Sequence, residues 1–178
     1  MTNITRVTSS ENTAEIADIL REYIAWLRDE MQRIGAPDLD PDDLVAQTLN
    51  NLPAYLPPHG HLLTARNAQG LLLGVGFLKQ IRADAVEIKR LYVRPAARGT
   101  GLGRTLVDRL LDTARSMNAA KVLIDTGRFM TQAQALYRSL GFKTVERYAE
   151  SENDPAFAPY LVYMELTFPH LPTAPSSK

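Results

Sequence analysis

One segment constrains the fold of this chain more than any other. The apolar run Val86 to Val93 is closed by Arg94-Pro95 and followed by Arg98-Gly99-Thr100-Gly101-Leu102-Gly103-Arg104-Thr105. Leu102, Leu106, Leu110 and Ala114 then recur at i, i+4 spacing, and a short apolar run, Val122 to Asp125, comes next. The pattern predicts a strand over 86–93, a helix over 101–117 and a buried strand over 122–125. A strand–helix–strand unit of this length makes its two strands parallel, with a right-handed crossover. All-helical and purely antiparallel folds are therefore excluded.

The flanking segments add further strands and helices on both sides. Ile4 to Thr8 reads as a strand. Asn12, with Glu15 three residues on, reads as a helix cap. Ile16, Ile19, Leu20, Tyr23, Ile24, Leu27, Met31 and Ile34 follow at helical spacing, up to Gly35 and Pro37. On that stripe Tyr23 and Trp26 read as core. Asp40 and Pro41 restart a helix as cap and first residue, with Asp42 and Asp43 at its positive end. Pro53, Pro57 and Pro58 end it. His61 to Arg66 and Leu71 to Lys79 flank the turn Asn67-Ala68-Gln69-Gly70. Thr131 reads as the cap of a helix through Leu140, stopped by Gly141. Phe142 to Glu146 and Tyr160 to Thr167 read as closing strands around a polar loop, Glu150 to Pro159. The sum is an α/β (mixed α+β) sheet. At 178 residues the chain reads as one domain over 1–168 with a flexible tail over 169–178.

Composition narrows the chemistry. With no cysteine, disulfide frameworks, thiolate metal sites and cysteine nucleophiles are excluded. Lys+Arg and Asp+Glu number 20 each, which disfavours a nucleic-acid binder. Met1 to Ser10 lacks the apolar stretch of a secretory signal. The longest apolar runs, such as Leu71 to Leu73, fall far short of the roughly 20 residues of a membrane helix. A cytoplasmic protein without membrane partners is expected. The balance hides an asymmetry: Glu11 to Asp43 holds ten acids and three arginines, whereas Lys89 to Arg109 holds six basic residues and one acid. The basic half is suited to an anion, and the acidic half to a cationic partner. His59, His61 and His170 offer too few ligands for a metal.

The glycine-rich segment carries the chemistry. Glycines let the backbone turn tightly and approach a ligand closely. The first turn of the following helix has free N–H groups and a positive dipole end, which together suit a pyrophosphate. A P-loop would need G-x-x-x-x-G-K-[ST], and a dinucleotide fingerprint G-x-G-x-x-G; neither fits. Arg98, Gly101 and Gly103 instead form R-x-x-G-x-G. They follow Glu87-Ile88-Lys89-Arg90-Leu91-Tyr92-Val93-Arg94-Pro95, and Ala135-Leu136-Tyr137-Arg138-Ser139-Leu140-Gly141-Phe142 stands downstream.

This combination, over Val86 to Phe142, resembles the GNAT superfamily of acetyl-CoA-dependent N-acetyltransferases. The resemblance implies a central mixed, mostly antiparallel sheet with splayed parallel central strands and helices on both faces. It implies acetyl-CoA as co-substrate, with no metal. Leu91, Tyr92 and Val93 would offer backbone groups to pantetheine and polarise the thioester carbonyl. Arg98, Gly99, Thr100, Gly101, Leu102, Gly103, Arg104 and Thr105 would wrap the pyrophosphate. The family's usual asparagine falls at Met130, so Thr131 or Gln132 would have to replace its contact. Tyr137 would protonate the departing thiolate, although it also reads as a core aromatic. Glu87 would act as general base, although it also reads as a strand residue paired with Lys89. The implied activity is acetyl transfer to a primary amine of a small molecule, or to a lysine or N-terminal amine, by direct attack in a ternary complex. A non-catalytic acyl-CoA-binding sensor is the competing reading. Sheet edges would also allow a homodimer.

Overall fold

The computed structural model describes residues 2–10 and 13–169. Its elements in chain order are β1 (Asn3–Val7), α1 (Ala14–Arg33), α2 (Pro41–Asn50), β2 (Gly60–Arg66), β3 (Leu72–Arg82), β4 (Ala85–Val93), α3 (Leu102–Ser116), β5 (Lys121–Gly127), α4 (Thr131–Ser139), β6 (Lys143–Val145) and β7 (Leu161–Thr167). The strands form one seven-stranded sheet in the order β1-β2-β3-β4-β5-β7-β6. Only β4 and β5 run parallel, because α3 carries the chain across one face between them. Every other pair is antiparallel.

Helices cover both faces, and each face has its own core. On one face Leu106, Val107 and Leu110 of α3 pack on Val86, Ile88, Val122 and Ile124. On the other Ile19, Leu20 and Ile24 of α1 and Val45 of α2 pack on Val75 and Phe77. Each such fully buried aliphatic side chain contributes about 1.5–3 kcal/mol. Asp40 caps α2 by accepting from the Asp42 and Asp43 amides at 2.9 and 3.2 Å, as its sequence predicts.

The central strands separate partway along. Pairing of β4 with β5 runs only from Ala85↔Lys121 to Ile88↔Ile124. Just beyond, β4 bulges: Phe77 faces Lys89 and Val75 faces Tyr92, so Gly76 opposes both Arg90 and Leu91. Arg90 takes φ +51° there. A side chain at Gly76 would meet Leu110 Cδ1 at 2.9 Å and Leu91 Cδ1 at 3.1 Å, so the bulge needs glycine opposite it. Bulges bend a strand and end its pairing. Past Ile88, β4 therefore has no β5 partner, and a gap opens between the strands.

Some local expectations are corrected. The cap expected at Asn12 lies outside the described residues, and Thr13 holds the cap position of α1. Thr131 is the first residue of α4, with Met130 in the cap position. The polar loop before β7 contains a 3₁₀ turn, Pro155–Tyr160. Of the tail expected over 169–178, residues 170–178 lie outside the described residues. No described helix is long and apolar enough to cross a membrane.

Candidate active site

The glycine-rich segment leaves β4, makes a short 3₁₀ turn at Pro95–Ala97 and enters α3. Gly99 and Gly101 have φ +76° and +84°, which explains glycine at both positions. Gly103 is different. It lies inside α3, and a side chain there would meet only Val93 Cγ2, at 3.9 Å. Glycine costs a helix about 1 kcal/mol relative to alanine. Neither backbone strain nor internal crowding explains Gly103, and the space beside it is open.

No side chain caps α3. The Thr100 hydroxyl donates to the Ala97 carbonyl at 2.7 Å, and the Thr105 hydroxyl to the Gly101 carbonyl at 3.1 Å. The first-turn N–H groups are left facing outward, at the positive end of the dipole. Arg98 folds back: its Nε donates to the Val93 carbonyl at 3.1 Å, and its guanidinium lies 5.4 Å from the Trp26 ring and 5.6 Å from the Tyr92 ring. Arg104 contacts Ser139 Oγ at 3.3 Å and Asp108 at 3.7 Å on the exposed flank.

A cavity of about 320 Å³ occupies the gap on the α3 and α4 side. Leu91, Val93, Arg98, Gly99, Gly101, Leu102, Gly103 and Tyr137 line it. Tyr92 faces the opposite side, where its hydroxyl donates to Glu22 at 3.0 Å. Burial and that carboxylate push its pKa up to about 12. Thr100, Arg104 and Thr105 are exposed and stand outside the cavity wall. Met130 and Gln132 line the cavity, and Met130 Sδ accepts from the Thr126 hydroxyl at 3.2 Å. Thr131 lines a neighbouring groove with Trp26. Tyr137 is only 4% exposed, and burial pushes its phenol well above the ordinary value of about 10. Like an ordinary phenol it is protonated at neutral pH, and burial makes it a weaker acid.

A second cavity, of about 410 Å³, lies on the α1 and α2 side. It shares Tyr23, Lys89, Arg90, Asp125, Thr126 and Met130 with the first, so the two meet at the splay. At their junction lies a charged cluster, of which Glu87 and Lys89 are buried. Glu87 is 0% exposed and lines neither cavity. Its Oε1 accepts from the Tyr148 hydroxyl at 2.5 Å and from Lys89 Nζ at 3.4 Å, and its Oε2 has no partner among the described residues. Burial raises the Glu87 pKa, against the opposing pull of Lys89. The Tyr148 hydroxyl also lies 3.5 Å from Asp125 Oδ2, which accepts from Asn153 Nδ2 at 2.9 Å. Glu152 bridges Lys79 and Lys89.

Three features escape a reading of the sequence. Asp125, Tyr148 and Glu152 come from β5 and the segment before β7, and nothing local marks them. Tyr23 is more than a core residue, since it lines both cavities. The acids of the first two helices do not face the second cavity. Asp38 pairs with Arg28 at 2.7 Å, Glu22 pairs with Arg94 at 2.8 Å, and Asp42 and Asp43 are exposed. The acids lining that cavity are Asp125, Glu152 and Asp154. A sequence run says which residues are acidic, but not which way a helix turns them.

Comparison with known proteins agrees with this architecture. A family model described as the acetyltransferase (GNAT) family matches residues 17–142. An uncharacterized N-acetyltransferase of Schizosaccharomyces pombe is 31% identical over 158 residues, 88% of this chain and 93% of its own length. A GNAT-family acetyltransferase from Staphylococcus aureus has a similar fold, with a TM-score of 0.70 at 20% identity over 92% of this chain and 98% of that one. So does an N-acetyltransferase of Thermoplasma acidophilum in complex with coenzyme A, with a TM-score of 0.67 at 16% identity over 94% and 99% of the two chains.

Proposed function

The chain belongs to the GNAT family of acetyltransferases and is an acetyl-CoA-dependent N-acetyltransferase, and from there we propose that the acetyl group goes to a primary amine of a small molecule. The observation that carries this reading is the meeting of two cavities at the splay, one beside the glycine-rich loop and one beside α1 and α2. Donor and acceptor enter from opposite faces and meet directly, so no covalent enzyme intermediate is needed. The reaction forms one C–N bond and breaks one C–S bond. From the neutral amine one proton leaves the nitrogen and one reaches the departing sulfur; an amine bound as ammonium first gives up one more.

Acetyl-CoA supplies an activated acyl group; this chain supplies position and proton transfer. The free N–H groups at the start of α3, with Gly99, Gly101 and Gly103 leaving the approach open, hold the pyrophosphate. Arg98, Thr100, Arg104 and Thr105 form its rim. The β4 backbone over Leu91 to Val93 binds the pantetheine arm and polarises the thioester carbonyl. Tyr137 donates a proton to the leaving sulfur. Glu87 is the general base. Because it lines neither cavity, it draws the proton through Tyr148 from the Asp125 side. Much of the rate comes from holding two substrates in line.

The test is release of free CoA from acetyl-CoA across a panel of small primary amines, lysine peptides and free N-terminal peptides. Turnover of small amines is expected. Transfer to peptides alone would overturn the reading. Tight acetyl-CoA binding with no turnover on any amine would replace it with the sensor reading.

A further inference from the structure

The junction of the two cavities holds one cation and one anion without oppositely charged partners. Arg90 sits at the β4 bulge and lines both cavities. Its Nε donates to the Thr48 hydroxyl at 3.2 Å, a neutral group that itself donates to the Leu44 carbonyl at 2.8 Å. That contact fixes the direction of the guanidinium without neutralising it. A guanidinium has four further N–H donors on its terminal nitrogens. Those of Arg90 make no hydrogen bond or ion pair to a described residue. The neighbouring cation does not resemble it: Lys89 is held by Glu87 at 3.4 Å and Glu152 at 3.7 Å.

Asp125 is the counterpart. It also lines both cavities, and among the described residues its partners are the neutral Asn153 and Tyr148, both on Oδ2. No described cation pairs with it. Where the two cavities meet, one unpaired cation and one unpaired anion complement a ligand bearing both charges. Beyond the junction Leu27, Met31, Leu39, Leu44, Phe157 and Leu161 give the wall an apolar part, beside the polar Gln47, Glu152, Asn153 and Asp154.

We propose that the acceptor is a free α-amino acid with an apolar side chain, its carboxylate held by Arg90 and its amino group by Asp125. This rests on the reading that a small primary amine is acetylated. The planar guanidinium fork matches a carboxylate with two parallel hydrogen bonds. Asp125 draws in the ammonium form and lies at the head of the Tyr148–Glu87 path that removes its proton. The apolar wall receives the side chain. The product is the N-acetyl amino acid, which has lost the positive charge that Asp125 holds and so leaves readily.

The experiment compares kcat/KM for leucine, methionine and phenylalanine with that for their decarboxylated amines, 3-methylbutylamine, 3-(methylthio)propylamine and phenethylamine. The amino acids are expected to be better by about 30-fold, the order of one charged hydrogen-bonded contact. Arg90→Met should collapse that ratio to within about threefold, through the KM of the amino acid, and Arg90→Lys should recover part of it. Equal turnover of acids and amines by the parent protein, which needs no variant, would overturn the proposal while leaving acetylation of small amines standing. A matching fall in acetyl-CoA affinity on Arg90→Met, read by titration calorimetry, would assign Arg90 to the cofactor and also overturn it. If none of the six compounds is a substrate while other amines are, the proposal fails alone. If no amine is acetylated, the reading beneath it fails too.

Discussion

The two cavities that meet at the splay are built from different materials. The one beside α3 is largely backbone: positive-φ glycines, an uncapped helix start and a strand edge released by a bulge. The one beside α1 and α2 is built from side chains, drawn from both helices, both central strands and the segment before β7. Backbone chemistry is the same in every chain, so such a site recognises a part common to all substrates. Side-chain chemistry varies with each residue, so such a site carries selectivity. The charged cluster of Glu87, Lys89, Tyr148 and Glu152 gathers at the junction, where the proposed transfer joins the two.

Four substitutions break or sharpen that contrast. The largest effect is expected from Gly103→Leu. It fills the approach to the α3 N-terminus without disturbing packing, since only Val93 Cγ2 lies near. Acetyl-CoA affinity should fall by about 100-fold or more, because several charge-assisted hydrogen bonds are blocked together. The melting temperature should hold or rise by about 2 °C, because leucine favours the helix more than glycine does. Unchanged affinity by calorimetry would show that the backbone site lies elsewhere.

Next is Glu87→Gln, with kcat expected to fall about 100-fold, the lower range for a general base, while acetyl-CoA affinity stays constant. The sign of the pH dependence follows from burial. Burial raises the Glu87 pKa, and the base is the deprotonated form, so activity rises with pH through a value above the ordinary carboxylate pKa of about 4.3. Glu87→Gln should remove that limb from the kcat profile. A limb that persists would give the role to another group.

Tyr148→Phe should cost about as much, about 100-fold in kcat, because Glu87 reaches the substrate only through this hydroxyl. The Tyr148 hydrogen bond favours the ionised carboxylate and holds the Glu87 pKa down. Its removal should therefore move the acid limb to higher pH. A limb displaced to lower pH, or left in place, would separate Tyr148 from the base. The smallest effect is expected from the double change Asp42→Asn with Asp43→Asn. Both residues are exposed and line neither cavity, so solvent screens them and KM for amines should change less than about twofold. A larger rise would bring the acidic helix back into acceptor binding.

The two halves of the site were unequally legible for the same reason. The loop from Arg98 to Thr105 is contiguous, and glycine at 99 and 101 is dictated by local φ, so spacing alone exposes it. The acceptor side has no such local mark. Asp125 ends a strand pattern, Tyr148 stands in an unpatterned stretch, and Arg90 reads as one more basic residue in a basic run. Tyr92 falls inside the motif, and the bulge at Arg90 and Leu91 sends its side chain to the far face, against Glu22. The role expected of Tyr92 is a backbone one, which the direction of its side chain leaves untouched.

What the sequence determined by itself was the order and kind of elements, the parallel central pair and the glycine-rich loop at the start of α3. These rest on periodicity, turn chemistry and backbone geometry, all of which act over a few residues. The tertiary structure alone decided where the parallel pair parts, that Glu87 is sealed away from both cavities, and that Arg90 and Asp125 face one junction without opposite charges of their own. Those outcomes depend on strand register and on side chains brought together from distant segments, 61 residues apart in the case of Tyr148 and Glu87. No local preference encodes such a meeting; only the packed sheet and its helices bring it about.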